Sequence, residues 1–277
     1  MSLRNIYYSL SPELRLAVRK LYYLPHDLLQ QLSGKRSELQ PGKGDIYIGS
    51  GDFLSQGKKQ VQTLTDHIDL KESDVVLDIG CGIGRTALPL TKILTTGRYE
   101  GFDVVKKGVD WCKRNIGINY PNFHFTFVSL HNDLYNNFKA KGEEFSFPYP
   151  DRTFDKVFLF SVFTHMRIEE IQHYLTEIKR VLKPEGKCLA TFFLYDKDFA
   201  SKGPDDGFSF PYEYPAGYRL MSKKVQSANI AISLDLLNRM MDTVGLEIEK
   251  IEFGYWNGKI AKDLAVNFQD TVIIKSK

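Results

Sequence analysis

Residues 74–85 read DVVLDIGCGIGR, an apolar run that leads into a turn rich in glycine. The run 75–79 is largely β-branched, which is typical of a strand buried on both faces of a parallel sheet. Three glycines follow at alternate positions, Gly80, Gly82 and Gly84. Because glycine reaches backbone conformations closed to other residues and carries no side chain, the chain can turn sharply there and lie against a ligand. A helix should begin at about Arg85, with Pro89 in its first turn, where a missing N–H costs little.

A strand, a glycine-rich turn and a helix together indicate a site for a nucleotide-type cofactor. The glycine spacing differs from the G-x-G-x-x-G pattern of dinucleotide-binding proteins, whose third glycine would fall on Arg85 if counted from Gly80. Asp78, two residues before the first glycine, would disfavour a pyrophosphate and would suit a cofactor with a cationic amino group. An acid followed by x-G-x-G-x-G is the first motif of the class I S-adenosylmethionine-dependent methyltransferases, and here the sequence resembles that family.

The resemblance implies S-adenosylmethionine as the cofactor and gives roles to residues at the ends of successive strands. The predicted second strand, 98–103, ends in Asp103, whose carboxylate would accept both ribose hydroxyls, with Val104 beside the adenine. After the third strand, 123–128, many family members carry an acid for the adenine amino group. Here Ser129 holds that position, so Ser129 or the backbone of Leu130 is expected to serve instead. The expected cofactor-binding residues are Asp78, Gly80, Cys81, Gly82, Gly84, Asp103, Val104, Ser129, Leu130, Phe160 and Ser161.

The predicted fourth strand, 156–160, leads into the segment SVFTHM, residues 161–166. Ligands of open parallel sheets lie beyond the carboxyl ends of the strands, so this segment should reach the transferred methyl group. His165 is the candidate catalytic residue, because a neutral imidazole there could take the proton of a hydroxyl acceptor. Two simpler interpretations stay open: Ser161 could only cap a helix, and His165 could be structural. Family members that methylate amino groups of DNA bases place an Asn- or Asp-Pro-Pro-aromatic motif here, which this chain lacks.

Composition and charge restrict the partners. The chain has 277 residues, 43% of them hydrophobic, and its 37 basic and 34 acidic residues give a net charge of +3. That charge is too small to indicate a surface that follows phosphates, so no nucleic-acid partner is expected. No apolar run reaches the roughly 18 residues of a spanning helix and no secretory signal is evident, so we expect a cytoplasmic protein without a membrane partner. The scattered cysteines, Cys81, Cys112 and Cys188, indicate reduced thiols and no metal site; the oligomeric state stays open.

The chain divides into an N-terminal cap and linker, 1–60, and a methyltransferase core, 61–277. The cap begins with a helix after Ser11, whose apolar residues include Val18 and Leu21; we expect a helix docked with its polar face in solvent, rather than a membrane-surface helix. Between this helix and the first strand, Tyr47, Phe53 and Gln56 could cover the methionine end of the cofactor, or could belong to an ordinary glycine turn.

The resemblance implies an α/β, Rossmann-like sheet of seven strands in the order 3-2-1-4-5-7-6, with helices on both faces. The turn Lys183–Gly186 should separate a helix at 167–182 from the fifth strand at 187–194. Residues 195–232 then interrupt the alternation of strands and helices with many aromatic residues, and are expected to form an inserted lid over the substrate. Further along the chain, Tyr255 and Trp256 could line the pocket or belong to the core.

The function that follows is methyl transfer from S-adenosylmethionine to an unidentified acceptor, with a hydroxyl of a small molecule favoured. The acceptor class stays open among a small metabolite, a sugar or lipid precursor and a protein side chain. Two other functions remain: a protein that binds S-adenosylmethionine without catalysis, and a nicotinamide-dependent oxidoreductase. The glycine spacing and Asp78 disfavour the second.

Overall fold

The computed structural model describes residues 12–34, 39–49, 51–131, 138, 140, 142–196 and 208–277. In chain order, the strands of these residues are β1 (Val75–Ile79), β2 (Arg98–Asp103), β3 (Phe123–Phe127), β4 (Phe154–Leu159), β5 (Leu182–Phe192), β6 (Leu194–Tyr195), β7 (Tyr212–Tyr214), β8 (Tyr218–Leu220), β9 (Ile230–Ser233), β10 (Leu246–Glu252) and β11 (Asp270–Ser276). The α-helices are α1 (Pro12–Leu32), α2 (Phe53–Ile68), α3 (Ala87–Leu90), α4 (Lys106–Cys112), α5 (Ile168–Val181) and α6 (Leu234–Val244).

The main sheet has seven strands in the order β3-β2-β1-β4-β5-β11-β10. The first five strands of the chain pair in parallel, whereas β11 is antiparallel to both β5 and β10. Counted along the chain within this sheet, the order is 3-2-1-4-5-7-6, so the expected topology is confirmed. The carboxyl ends of β1, β2 and β4 therefore lie side by side, since Ile79 is paired with Phe102 and Asp78 with Phe158.

Helices cover both faces of the sheet. Along β1, Val76 packs in a core cluster with residues of α2 and α4, whereas its neighbour Leu77 packs in a second cluster with residues of α5 and α6. Both side chains are fully buried. Adjacent strand residues point to opposite faces, so the apolar run of β1 is buried on both sides, as its composition predicted.

The helix expected to begin at about Arg85 begins two residues later, at Ala87, and is short. Turn residues continue through Thr86, and α3 has only four residues. The N–H of Leu88 bonds the carbonyl of Gly84, but Pro89 has no N–H for the carbonyl of Arg85. That carbonyl lies against α2, because a Cβ built on Gly57 would be 2.3 Å from the oxygen.

The predicted turn at Lys183–Gly186 is also wrong in detail. Helix α5 ends at Val181, one residue before the predicted end, and β5 begins directly at Leu182. The register moves from Phe154 opposite Leu182 to Lys156 opposite Lys187, so residues 183–186 form an irregular bulge within the strand.

The N-terminal part differs from the expected cap in two respects. The boundary predicted at residue 60 falls inside α2, whose Phe53 and Leu64 share one core cluster with β1. The expected docking of α1 through its apolar face is wrong, because Leu21 and Leu32 are 72% and 85% exposed. Among the described helices, none combines the length and apolarity needed to cross a bilayer.

Part of the expected lid is a second sheet. Strands β6, β9, β8 and β7 pair in that order, whereas residues 197–207 of the predicted lid lie outside the described residues. The sheet packs on the loop between β10 and β11 through an aromatic cluster, in which Phe193, Phe210 and Trp256 are buried. Trp256 is therefore a core residue.

Candidate active site

A cavity of about 520 Å³ opens at the carboxyl ends of β1, β2 and β4. Its wall includes most of the residues expected from the sequence: Asp78, Gly80, Cys81, Asp103, Val104, Leu130, Phe160, Ser161 and His165. Gly82, Gly84 and the exposed Ser129 are not part of the wall. Of the two alternatives for the adenine end, the structure thus places Leu130 at the cavity and Ser129 away from it.

The glycine loop has the special backbone that the sequence predicted. Gly80, Gly82 and Gly84 have φ values of 77°, 58° and 77°, which strongly favour glycine. A Cβ on Gly80 would lie 2.4 Å from Cγ2 of Val162, so its absence lets the loop after β1 contact the segment after β4. A Cβ on Gly84 would lie 2.8 Å from Cδ1 of Ile116, so this glycine serves the packing of the loop on its helices.

Asp103 is fixed by the glycine loop. Its carboxylate accepts the N–H of Gly82 at 2.8 Å and the N–H of Val105 at 2.7 Å, one on each oxygen. Burial raises the pKa of Asp103 to about 6, although these backbone hydrogen bonds act in the opposite direction. Each carboxylate oxygen can accept a further hydrogen bond. Asp103 therefore fits a ligand that offers a pair of hydroxyl groups, as a ribose does.

Asp78 lies at the end of β1 and is 4% exposed. The hydroxyl of Tyr99 donates to its carboxylate at 2.7 Å. Burial raises the pKa of Asp78 to about 7; the Tyr99 hydrogen bond lowers it, and the charge of Asp103 raises it further. Without a ligand, Asp78 is therefore only partly ionised at neutral pH, and a cationic group beside it would favour the anion.

His165 joins the segment after β4 to the second sheet. Its Nδ1 lies 2.8 Å from the carbonyl oxygen of Ser227, which precedes β9. Burial lowers the pKa of His165 from its ordinary value of 6.5, despite backbone hydrogen bonds that raise it. The imidazole is therefore neutral at pH 7.

Ser161 does not cap a helix. Helix α5 begins at Ile168 with Arg167 as its N-cap. Ser161 itself has a φ of 61°; its N–H donates to Oγ1 of Thr191 at 2.7 Å, and its hydroxyl bonds Oε1 of Gln269 at 2.8 Å. The residue thus links the ends of β4, β5 and β11 at the cavity wall.

The wall also contains residues that sequence analysis missed. Phe193 and Phe268 pack on Phe208 with ring centroids 5.1 Å apart in each pair, and all three line the cavity together with Asn229 and Gln269. The aromatic density of the predicted lid was a signal for Phe208. No local pattern marked the two amides, because the segments that precede β9 and β11 are brought together only by the tertiary fold.

The segment expected near the methionine end of the cofactor is partly at the wall. Tyr47 and Gln56 line the cavity, whereas Phe53 is 2% exposed and packs in the core. Arg85 also lines the cavity; its guanidinium donates to the carbonyl of Ile48, and burial lowers its pKa.

Known proteins share this sequence pattern and this fold. Residues 77–190 match the family model of a methyltransferase domain. A fatty-acid O-methyltransferase of Mycolicibacterium smegmatis is 29% identical over 150 residues, 54% of this chain and 46% of that protein. A tRNA N(3)-cytidine methyltransferase of Gallus gallus is 30% identical over 137 residues, 48% of this chain and 34% of that protein. The chain thus matches less than half the length of either relative.

Among solved structures, a protein of Pyrococcus horikoshii has the same fold, with a TM-score of 0.54. The two are 16% identical, and the superposition covers 84% of this chain and 95% of that one.

Proposed function

Since the chain belongs to the class I S-adenosylmethionine-dependent methyltransferase family, we propose that it transfers the methyl group of its cofactor, S-adenosylmethionine, to a hydroxyl group of a small molecule. One observation carries the proposal. A single cavity is lined both by the expected cofactor residues, such as Gly80 and Asp103, and by a neutral imidazole, that of His165.

At the cofactor end, the chain offers a group for each part of the ligand. Asp103 would accept the two ribose hydroxyls, and Val104 and Leu130 would flank the adenine. Asp78 would face the cationic amino group. S-adenosylmethionine, when bound, supplies a methyl group on a sulfonium. The task left to the protein is to hold the acceptor oxygen in line with that methyl group and to exclude water.

At the acceptor end, His165 would remove the hydroxyl proton. A carbonyl oxygen only accepts hydrogen bonds, so Nδ1 of His165 must be the donor to Ser227. The lone pair of the neutral ring is then on Nε2, which would take the proton as the bond from the acceptor oxygen to carbon forms. A lowered pKa keeps this nitrogen unprotonated at neutral pH.

The remaining wall supports a small, polar acceptor. Asn229 and Gln269 carry amides, which both donate and accept hydrogen bonds, and the ring cluster of Phe208 forms an apolar surface beside them. The volume of about 520 Å³ lies in the range of small-molecule pockets. Among the relatives, the fatty-acid enzyme methylates at oxygen and the tRNA enzyme at nitrogen, as their names state. The weak net charge of +3 supports the first kind of acceptor over a nucleic acid.

The test is a transfer assay with S-adenosylmethionine labelled in its methyl group. Separate acceptor pools would contain alcohols and phenols, carboxylic acids, amines and bulk tRNA, with products identified by mass spectrometry. We expect the label in the alcohol and phenol pool. Label found only with amines or tRNA would contradict the proposed acceptor. Binding of the cofactor by calorimetry, without transfer to any pool, would instead indicate a protein that binds S-adenosylmethionine without catalysis.

A further inference from the structure

One end of the cavity carries positive charge that has no role in the reaction as described so far. Arg85 lines the cavity at the turn after the glycine loop, and Lys59 lines it on α2. Their two segments are in contact, because the Thr86 hydroxyl donates to Oε1 of Gln60 at 2.9 Å. Among the described residues, no carboxylate forms an ion pair with either cation.

The guanidinium of Arg85 has few partners for a buried cation. It donates to the carbonyl of Ile48, and its Nε is buried without a hydrogen-bond partner in the part of the chain that the structure describes. The ring of Phe53 lies 5.9 Å from the guanidinium carbon and offers only its π face. Burial lowers the pKa of Arg85, and no described acid offsets this effect. Because a buried cation without an anion is costly, this position favours an anionic ligand.

The adjoining face of α2 offers further N–H donors. Gln56, Lys59 and Gln60 are three and four residues apart, so they share one side of the helix, and all three line the cavity. Because Gln60 accepts the Thr86 hydroxyl through Oε1, its amide N–H groups are left for a ligand. We call Arg85, Lys59 and Gln60 the cationic end of the cavity. It presents donors to a group that only accepts hydrogen bonds, such as a carboxylate.

The acids of the cavity wall have other partners. Asp78 accepts the Tyr99 hydroxyl, Asp103 accepts N–H groups of the glycine loop and of the residue after β2, and Glu170 accepts the N–H of Arg167 at 2.8 Å. None of them is bonded to the cationic end. The charge of Arg85 and Lys59 is therefore left for a ligand that enters the cavity.

We propose that the cationic end is a carboxylate subsite, in which Arg85 holds a carboxylate of a bound ligand by charge-assisted hydrogen bonds and Lys59 adds charge at the rim. The planar guanidinium can pair two N–H donors with the two oxygens of a carboxylate. The inference rests on the proposed function, which supplies two ligands that would carry such a group. One is S-adenosylmethionine, through its methionine carboxylate. The other is the acceptor, which would then be a hydroxy acid.

Calorimetry with S-adenosylmethionine and with decarboxylated S-adenosylmethionine tests the first source. The analogue keeps the adenosine, the sulfonium and the amino group and lacks only the carboxylate. If Arg85 binds that carboxylate, wild type should prefer S-adenosylmethionine by at least about tenfold, and Arg85→Gln should reduce the preference to less than about threefold. Arg85→Lys, which keeps the charge without the paired donors, should keep part of it. An Arg85 that only supports the fold would weaken both ligands equally.

Benzoate and benzamide test the second source, in protein saturated with S-adenosylhomocysteine, whose own carboxylate occupies the cofactor site. If the subsite serves the acceptor, wild type should prefer benzoate by at least about tenfold, and both Arg85→Gln and Lys59→Gln should reduce this preference. Lys58→Gln is the matched control, because Lys58 is exposed on the same helix and is not part of the wall.

The proposal is overturned if wild type shows neither preference, or if Arg85→Gln changes neither. Circular dichroism checks the fold of each variant; if Arg85→Gln does not fold, Lys59→Gln against Lys58→Gln decides, since both lysines are exposed. These binding measurements do not depend on methyl transfer. Carboxylate preferences without transfer to any acceptor would contradict the proposed reaction and support the subsite, whereas transfer to a hydroxyl with unchanged preferences would do the reverse.

Discussion

The Tyr99 hydroxyl donates a hydrogen bond to the Asp78 carboxylate over 2.7 Å, and the two side chains are 0% and 4% exposed. This hydrogen bond stabilises the ionised form of Asp78. Burial has the larger, opposite effect, raises the pKa of Asp78 to about 7, and makes the ionised form unfavourable without a ligand. The carboxyl group that is expected to face the cationic amino group of the cofactor therefore gains or loses its proton near neutral pH. Stability and ligand binding should both depend on this proton.

Asp78→Asn should change how the stability of the cofactor-free protein depends on pH. The folded pKa of Asp78 is raised above its ordinary value, so its protonated form contributes stability at low pH that is lost as pH rises through about 7. Asparagine cannot ionise. From pH 5 to pH 8, the free energy of unfolding of the variant should therefore gain about 2 kcal/mol relative to wild type.

Urea unfolding at the two pH values measures this difference. Asp110→Asn is the matched control, because the pKa of Asp110 is lowered by its hydrogen bond with Lys106 and the group stays ionised across this range. Equal pH dependence in wild type and Asp78→Asn would show that Asp78 is ionised in the folded protein throughout.

Asp103→Ala should weaken binding of S-adenosylmethionine by about tenfold to a few hundredfold, since a hydrogen bond to a charged group contributes about 1.5–3 kcal/mol. The substitution also removes the acceptor of the Gly82 and Val105 N–H groups, so it loosens the loop as well. The affinity of Asp103→Asn, which keeps one acceptor oxygen, should lie between those of wild type and Asp103→Ala. Calorimetry gives the affinities, with circular dichroism as the check of folding. Unchanged affinity in folded Asp103→Ala would remove the ribose assignment.

Asp270→Ala should destabilise the protein at the junction of its two sheets. The buried carboxylate accepts the N–H of Leu194 at 2.6 Å, the N–H of Gly254 at 2.8 Å and the indole N–H of Trp256 at 2.7 Å. Alanine would leave these donors without that partner, at a total of about 3 kcal/mol or more. Asp235→Ala, on the exposed side of α6, should change stability by less than about 0.5 kcal/mol.

Fluorescence can locate this effect, because the chain has only two tryptophans, Trp111 and Trp256. In a Trp111→Phe background, Asp270→Ala should shift the emission of Trp256 to the red as water reaches the aromatic cluster. Emission identical to that of the background protein would place the loss of stability elsewhere.

Local sequence patterns predicted the sheet well. The bounds predicted for β2 agree with the structure, and those for β3 differ by one residue. In β3, for example, the buried Phe123 and Phe125 alternate with the exposed His124, and this period of two is visible in the sequence without knowledge of the neighbouring strands. The start of β5 was harder to predict, because the irregular register at residues 183–186 depends on the pairing of β5 with β4.

Contacts between distant segments could not be predicted. His165 contacts a carbonyl 62 residues away, and Asp270 bonds an N–H 76 residues away. The direction in which α1 faces was also hidden, since the same amphipathic pattern describes a helix that docks by either side. The polar side is held by contacts with the Gly42–Asp45 turn, in which Asp27 of α1 accepts the N–H groups of Lys43 and Gly44 and Lys20 of α1 pairs with Asp45.

Phe208→Ala should separate acceptor binding from cofactor binding. The ring lines the cavity and packs on Phe193 and Phe268, so its loss should raise KM for the acceptor by about tenfold while leaving cofactor affinity nearly unchanged. Tyr212→Ala is the control, because Tyr212 belongs to the same segment but is exposed and outside the wall.

This substitution is a sharper test than deletion of residues 203–215 from the expected lid, 195–232. Residues 203–207 lie outside the described residues, and the deletion would also remove Phe210, which is buried against Trp256. Its effect would therefore mix lost binding with lost stability. An unchanged KM in Phe208→Ala, with the physiological acceptor, would show that the second sheet does not contact the substrate.

His165→Gln should lower turnover by at least about a hundredfold, because a positioned general base contributes about 10² to 10⁴ in rate. Wild-type kcat/KM should fall at acid pH as the imidazole protonates, with a midpoint below 6.5, since burial lowers the pKa of His165. Glutamine does not titrate, so the variant should lose this acid limb while binding the cofactor as before.

His173 provides the matched control for this experiment. Its Nε2 lies 2.8 Å from the carbonyl oxygen of Phe145, a contact like that of His165 with Ser227, but His173 is not part of the cavity wall. His173→Gln should therefore keep turnover within about threefold of wild type and retain the acid limb. If His165→Gln behaves like His173→Gln, the role of His165 is to hold the second sheet through Ser227. Removal of the proton would then fall to another group at the cavity, or alignment of the acceptor would suffice.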